Sequence, residues 1–166
     1  MDRERMMGRD RILYEGVLVG LAGAIAVAVW FFVYDLAEGT PFRTPALLGA
    51  ALFEGLRDPA ALRITPDLVL KYTAVHGIMF LAFGIASAGL FALADRDRHI
   101  LFAVFMLFCC FEVAALAAMA VLASWLFDTL RPWAIIGANF LAALVMLGLL
   151  FRDHHVSVRE VLTSGE

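Results

Sequence analysis

Four long apolar segments constrain the fold of this chain more than any other feature. A transmembrane helix needs about 20 consecutive, predominantly apolar residues. Four segments meet this requirement: residues 16–34, 72–94, 100–127 and 132–151. Among these segments only the third contains an Asp, Glu, Lys or Arg residue, and that residue is Glu112. The sequence therefore predicts an all-α fold, an integral membrane four-helix bundle. Allowing for helix ends, the four spans are expected at residues 14–36, 68–94, 100–127 and 132–151.

The composition excludes several other classes of protein. Hydrophobic residues make up 63% of the chain and charged residues 17%, whereas an average soluble domain has about 45–50% apolar and about 25% charged residues. We therefore expect the lipid bilayer to be the main partner of a single membrane domain, residues 1–166. The net charge of −3 lacks the basic excess that binds phosphates, so no nucleic-acid partner is expected.

The basic residues favour one orientation in the membrane. Four crossings place both termini on the same side, and that side carries eight basic residues against five on the other. The first group comprises Arg3, Arg5, Arg9, Arg11, Arg96, Arg98, Arg152 and Arg159, and the second Arg43, Arg57, Arg63, Lys71 and Arg131. Because cytoplasmic loops carry the excess of Lys and Arg, both termini are predicted to be cytoplasmic.

The long outer connection between the first two spans contains three Thr-Pro pairs, two of which predict helix starts. Thr-Pro is typical of helix starts, because the hydroxyl can cap the helix and Pro suits its first position. Thr44-Pro45 therefore predicts a short helix over residues 45–57, and Thr65-Pro66 predicts the start of the second span. The short helix is too short to cross the bilayer. It is expected to be amphipathic and interfacial, or to re-enter the membrane.

A second interpretation makes the short outer helix a lid over a site. Its acid, Glu54, would then lie at the outer end of the bundle, where Asp35 and Glu38 end the first span. Non-spanning backbone at membrane depth is tolerated only against protein or a water-filled cavity. A re-entrant helix would therefore imply a cavity beneath it.

The first span carries a GxxxG motif, formed by Gly16 and Gly20. Small residues at this spacing let two membrane helices approach closely, because lipid supplies no hydrophobic drive between them. The sequence leaves open whether the partner helix belongs to the same chain or to a second copy.

Three polar side chains within the spans are candidates for function. Ionisable groups inside a membrane are costly, so each is a functional hypothesis by default. His76 and Glu112 both fall about 12 Å from the outer edge of a slab of roughly 30 Å, and Asn139 reaches a similar depth. We predict a buried polar cluster of these three residues. It could fix the register of the helices or bind a proton or polar ligand, unless the groups lie on different faces.

A metal or cofactor site is a weaker alternative. Met79 shares a helix face with His76, and Cys109 shares one with Glu112. His, Met and Cys together would suit copper, and His with Glu would suit zinc or iron. Met and Cys are, however, ordinary core residues in apolar helices. The chain has no CxxC or HExxH spacing, and haem would need a second histidine at the depth of His76. The sequence favours no metal and no particular cofactor.

One resemblance supports the predicted topology. The segments 30–35 (WFFVYD), 44–53 (TPALLGAALF) and 72–76 (YTAVH) resemble a group of small, uncharacterised four-span bacterial membrane proteins. The likeness covers about the first half of the chain. It implies a multi-pass protein of the bacterial inner membrane and implies no activity.

Three functions are compatible with the sequence, and none of them requires an enzyme. The first is a small accessory or structural subunit that packs against other membrane subunits or against itself, favoured because packing motifs are frequent and catalytic motifs are missing. The second is a proton- or solute-binding membrane protein that uses the His76, Glu112 and Asn139 cluster. The third is a redox protein that binds haem, quinone or a metal.

Overall fold

The computed structural model describes residues 2–94, 106, 109–110, 113 and 129–153. Within these residues the fold consists of four α-helices and one short 3-10 helix, without any β-strand, and the prediction of an all-α fold is confirmed. The α-helices are α1 (Asp2–Ala37), α2 (Arg43–Phe53), α3 (Pro66–Ala94) and α4 (Pro132–Asp153), and the 3-10 helix covers Pro59–Ala61.

Three of these helices are long and apolar enough to cross a membrane. The qualifying segments are Asp10–Ala37 in α1, Pro66–Leu93 in α3 and Pro132–Arg152 in α4. They correspond to the first, second and fourth predicted spans, and they confirm a membrane protein. The third predicted span, 100–127, lies outside the described residues except for residues 106, 109, 110 and 113, which are helical.

The GxxxG motif of α1 packs against α3 of the same chain. A Cβ atom placed on Gly84 of α3 would lie 2.5 Å from the backbone nitrogen of Gly20, 2.6 Å from its Cα, and closer still to the carbonyl oxygen of Gly16. A Cβ atom on Gly16 would in turn lie 2.5 Å from the Cα of Ile85. Since these neighbours are backbone atoms, only glycine permits this helix crossing.

Helix α1 also forms the main contact with α4, while α3 and α4 have little direct contact. The indole Nε1 of Trp30 donates a hydrogen bond to the carbonyl oxygen of Ala134 at 2.9 Å. The ring of Trp30 lies so close to Gly137 that a Cβ there would be 2.8 Å from the Cζ2 atom. Helix α1 thus packs against both α3 and α4, whereas α2 packs mainly against α3.

Two groups of buried side chains hold the described helices together. The larger joins α1, α3 and α4 and includes Val19, Phe80, Phe91, Met146 and Leu150. The smaller lies beneath α2, where Leu47 contacts Leu130 and Ile135. Burial of these side chains positions α2 at the end of the fold where α1 ends and where α3 and α4 begin.

The two Thr-Pro signals have different outcomes. Thr65 caps α3 as predicted, because the backbone N–H of Leu68 donates to its hydroxyl at 3.4 Å and the helix begins at Pro66. Thr44 does not cap α2, and that prediction is wrong. The helix covers 43–53 instead of 45–57, and its N-cap residue is Phe42, whose φ is 64°. The Thr44 hydroxyl donates instead to the carboxylate of Asp35.

Candidate functional site

A cavity of about 330 Å³ lies between α1, α2 and α3. Its wall is mostly apolar, and it includes the side chains of Ile25, Val29, Phe31 and Leu48. Five polar side chains also line it: Asp35, Thr44, Tyr72, Thr73 and His76. From the sequence, Asp35 was a candidate beneath the predicted lid and His76 a member of the predicted polar cluster. The sequence did not predict that both line one cavity.

His76 marks the inner end of the cavity. Its Nε2 lies 3.3 Å from the carbonyl oxygen of Ala24 on α1. As a hydrogen bond this contact requires the proton on Nε2, which leaves Nδ1 as an acceptor in the neutral ring. The ring stacks on Tyr72 with centroids 5.9 Å apart and tilts against Phe80 at 4.7 Å. These contacts hold the imidazole in one orientation against α1.

Asp35 marks the outer end and joins the end of α1 to the start of α2. Its Oδ2 accepts the backbone N–H of Thr44 at 2.7 Å, and its Oδ1 accepts the Thr44 hydroxyl at 2.6 Å. Both residues are only 2% exposed. Thr44 thus engages both oxygens of the carboxyl group, and hydrogen bonds of this kind favour its ionised form. Asp35 thereby takes the place of the side-chain cap that Phe42 cannot supply.

The cavity is elongated along α1. Ile25 and Asp35 both line it, and ten residues of helix between them correspond to about 15 Å. Next to the cavity, the side chains of Ile25, Val29 and Phe32 are 53%, 55% and 40% exposed. This rim is therefore apolar, and it belongs to a helix that is long and apolar enough to cross a membrane.

Of the predicted polar cluster, the structure describes His76 and Asn139. The hydrogen bond of His76 goes to α1, whereas Asn139 is half-buried on α4. None of the described α4 residues lines the cavity that His76 shares with Asp35. Glu112 lies outside the described residues. Thr44, Tyr72 and Thr73, which sequence reasoning missed, line that cavity instead.

The three acids assigned to a lid lie in three separate places. Asp35 is bonded to Thr44. Glu38 is exposed, and its Oε1 lies 3.9 Å from Nη2 of Arg131. Glu54 is an exposed residue at the end of α2 and lines a second cavity of about 160 Å³ with Arg63. Asp35 alone among them lines the larger cavity.

Three residues of the metal alternative, His76, Met79 and Cys109, are among the described residues, and Glu112 is not. The side chain of Met79 is 54% exposed. Cys109, which belongs to the third predicted span, is half-buried. Across the part of the chain that the structure describes, no three His, Cys, Asp or Glu side chains are grouped as metal ligands would be.

No protein-family model, no curated protein and no solved structure matches this chain.

Proposed function

We propose that this protein binds a membrane-soluble small molecule in the cavity between α1, α2 and α3. The observation that carries the proposal is the cavity itself, an apolar space of about 330 Å³ with few polar groups, Asp35 and His76 among them. Small-molecule sites are commonly concave spaces of about 300–1,000 Å³ with mostly apolar walls and a few placed polar groups. This is the solute-binding function that the sequence allowed, with Asp35 and Thr44 in place of Glu112 and Asn139.

The proposal includes the topology inferred from the basic residues. Four crossings with both termini in the cytoplasm of a bacterial inner membrane would place α2 on the outer side. The cavity would then lie in the outer leaflet, where a ligand could enter sideways from lipid between Ile25 and Val29. The bias of basic residues towards the side of the termini supports this arrangement.

Filling the cavity tests the proposal. Ala28 lines it, and the Ala28→Phe substitution would place a ring where the ligand is expected. Overpacking costs about 1–3 kcal/mol, so we expect ligand occupancy to fall about tenfold. The matched control is Ala74→Phe, at an exposed position of α3 outside the cavity wall. Native mass spectrometry after mild extraction measures the retained molecule. Equal retention by wild type and both variants would contradict the proposal.

An accessory subunit remains the second candidate function. It is supported by three exposed side chains four residues apart on α4, namely Ile136, Phe140 and Leu144. Rows at this spacing form the ridges that pack into the grooves of neighbouring helices. The same mass spectra separate the two functions. An accessory subunit would retain a polypeptide or a second copy, in amounts that Ala28→Phe does not change.

A further inference from the structure

We infer that the ligand of this cavity is an amphiphile with a cationic head, whose head lies beside Asp35 and whose apolar chain follows α1 towards His76. The inference rests on the proposed function and names the class of molecule that the same site would take. Three features of the cavity wall carry it: its charge, its aromatic rings and its hydrogen-bonding groups.

Asp35 is the one acid among the described residues that line the cavity. In this proposal its carboxyl group is ionised, a form that its two bonds to Thr44 favour. The described lining includes no Lys or Arg. A carboxylate in a membrane span is costly and usually has a partner. A ligand cation complements it, whereas an anionic head would be repelled.

Aromatic rings surround the same end of the cavity. Phe31 and Phe32 precede Asp35 by four and three residues on α1, so they share its helix face. Phe42 packs against Phe32 with ring centroids 5.2 Å apart, and Tyr72 lines the wall from α3. The faces of such rings attract ammonium groups, most strongly where water is excluded. Rings beside a carboxylate therefore favour an alkylammonium over a neutral head.

Most hydrogen-bond donors of the wall are already used. Thr44 donates both its N–H and its hydroxyl to Asp35. The Thr73 hydroxyl donates to the carbonyl oxygen of Val69 at 2.7 Å. Nε2 of His76 donates to the carbonyl oxygen of Ala24. The remaining capacity is largely that of acceptors. Such a wall suits a head that donates hydrogen bonds or carries positive charge, and it disfavours sulfate, phosphate or carboxylate.

Three fluorescent amphiphiles with one common alkyl chain test the inference. Their heads are a primary ammonium, a hydroxyl and a sulfate, and binding is measured to the full chain in nanodiscs of zwitterionic phospholipid. We expect the ammonium compound to bind about tenfold more tightly than the alcohol, and the sulfate to bind most weakly. Equal affinities for ammonium and alcohol would overturn the inference and leave the proposed function standing. Absence of binding by all three would contradict both.

Two variants and one control locate the effect. Asp35→Asn should remove the preference for ammonium while the alcohol still binds. Since this change also alters the bonds to Thr44, Phe32→Leu is the second variant. It keeps the carboxylate and should weaken ammonium binding about threefold without affecting the alcohol. Glu54→Gln is the matched control, because Glu54 is an acid outside this cavity, and it should change neither affinity. Ammonium preference that survives Asp35→Asn would refute the assignment to Asp35.

Discussion

The Gly84→Ala substitution is expected to lower the free energy of unfolding by about 2 kcal/mol or more, since overpacking typically costs about 1–3 kcal/mol. The added methyl group would meet the backbone of Gly16 and Gly20, with the nitrogen of Gly20 at 2.5 Å. Backbone atoms cannot rotate away, so α1 and α3 must separate along their crossing. Unfolding by SDS titration in mixed micelles measures the loss.

The matched control for this prediction is Gly89→Ala on the same helix. A Cβ atom at Gly89 has no neighbour within 4 Å, so the same chemical change meets no obstacle. Relief of the glycine penalty should leave stability unchanged or raise it by at most about 1 kcal/mol. Equal effects of the two substitutions would show that α1 and α3 do not cross at Gly84.

Asp35→Ala should detach α2 from the end of α1. The backbone N–H and the hydroxyl of Thr44 lose their common acceptor at a site that is 2% exposed. Hydrogen bonds to charged groups contribute about 1.5–3 kcal/mol each, and a buried donor left without a partner adds a further cost. With two such bonds lost, we expect a decrease of about 3–6 kcal/mol in the stability of this region. Hydrogen exchange should accelerate in residues 43–53, while the centres of α1 and α3 stay protected.

Glu38→Ala provides the comparison at the same end of α1. Glu38 is exposed, and its contact with Arg131 is 3.9 Å long. Exposed ion pairs contribute at most about 1 kcal/mol, so hydrogen exchange in α2 should remain close to that of the wild type. If Asp35→Ala leaves exchange in α2 as slow as Glu38→Ala does, the contact between Asp35 and Thr44 does not hold α2 in place.

Local rules in the sequence predicted the features that depend on local contacts. Three of the four predicted spans match membrane-length helices, because apolar length is a property of each segment. Thr65 caps α3 because its hydroxyl bonds an N–H only three residues away. Gly16 and Gly20 predicted a close approach between α1 and another helix. That this approach is to Gly84 of α3 follows only from the tertiary structure.

Features that depend on the path of the chain were predicted poorly. Thr44 has the same local signal as Thr65, but Asp35 lies nine residues earlier and competes for its hydroxyl. The grouping of His76 with Glu112 and Asn139 stays a prediction, because Glu112 lies outside the described residues. The spacing of Tyr72 and His76, four residues apart on one helix face, was the signal that could have located the cavity wall.

The central claim is that α1 lies in the bilayer with its cavity-bearing face turned towards lipid. Single spin labels at Leu21, Ile25 and Val29 test it, after replacement of Cys109 and Cys110 by serine. These three side chains are 49%, 53% and 55% exposed. In reconstituted membranes all three labels should be more accessible to oxygen, which concentrates in lipid, than to a water-soluble nickel complex. If these three labels are more accessible to the nickel complex than to oxygen, the cavity does not face lipid.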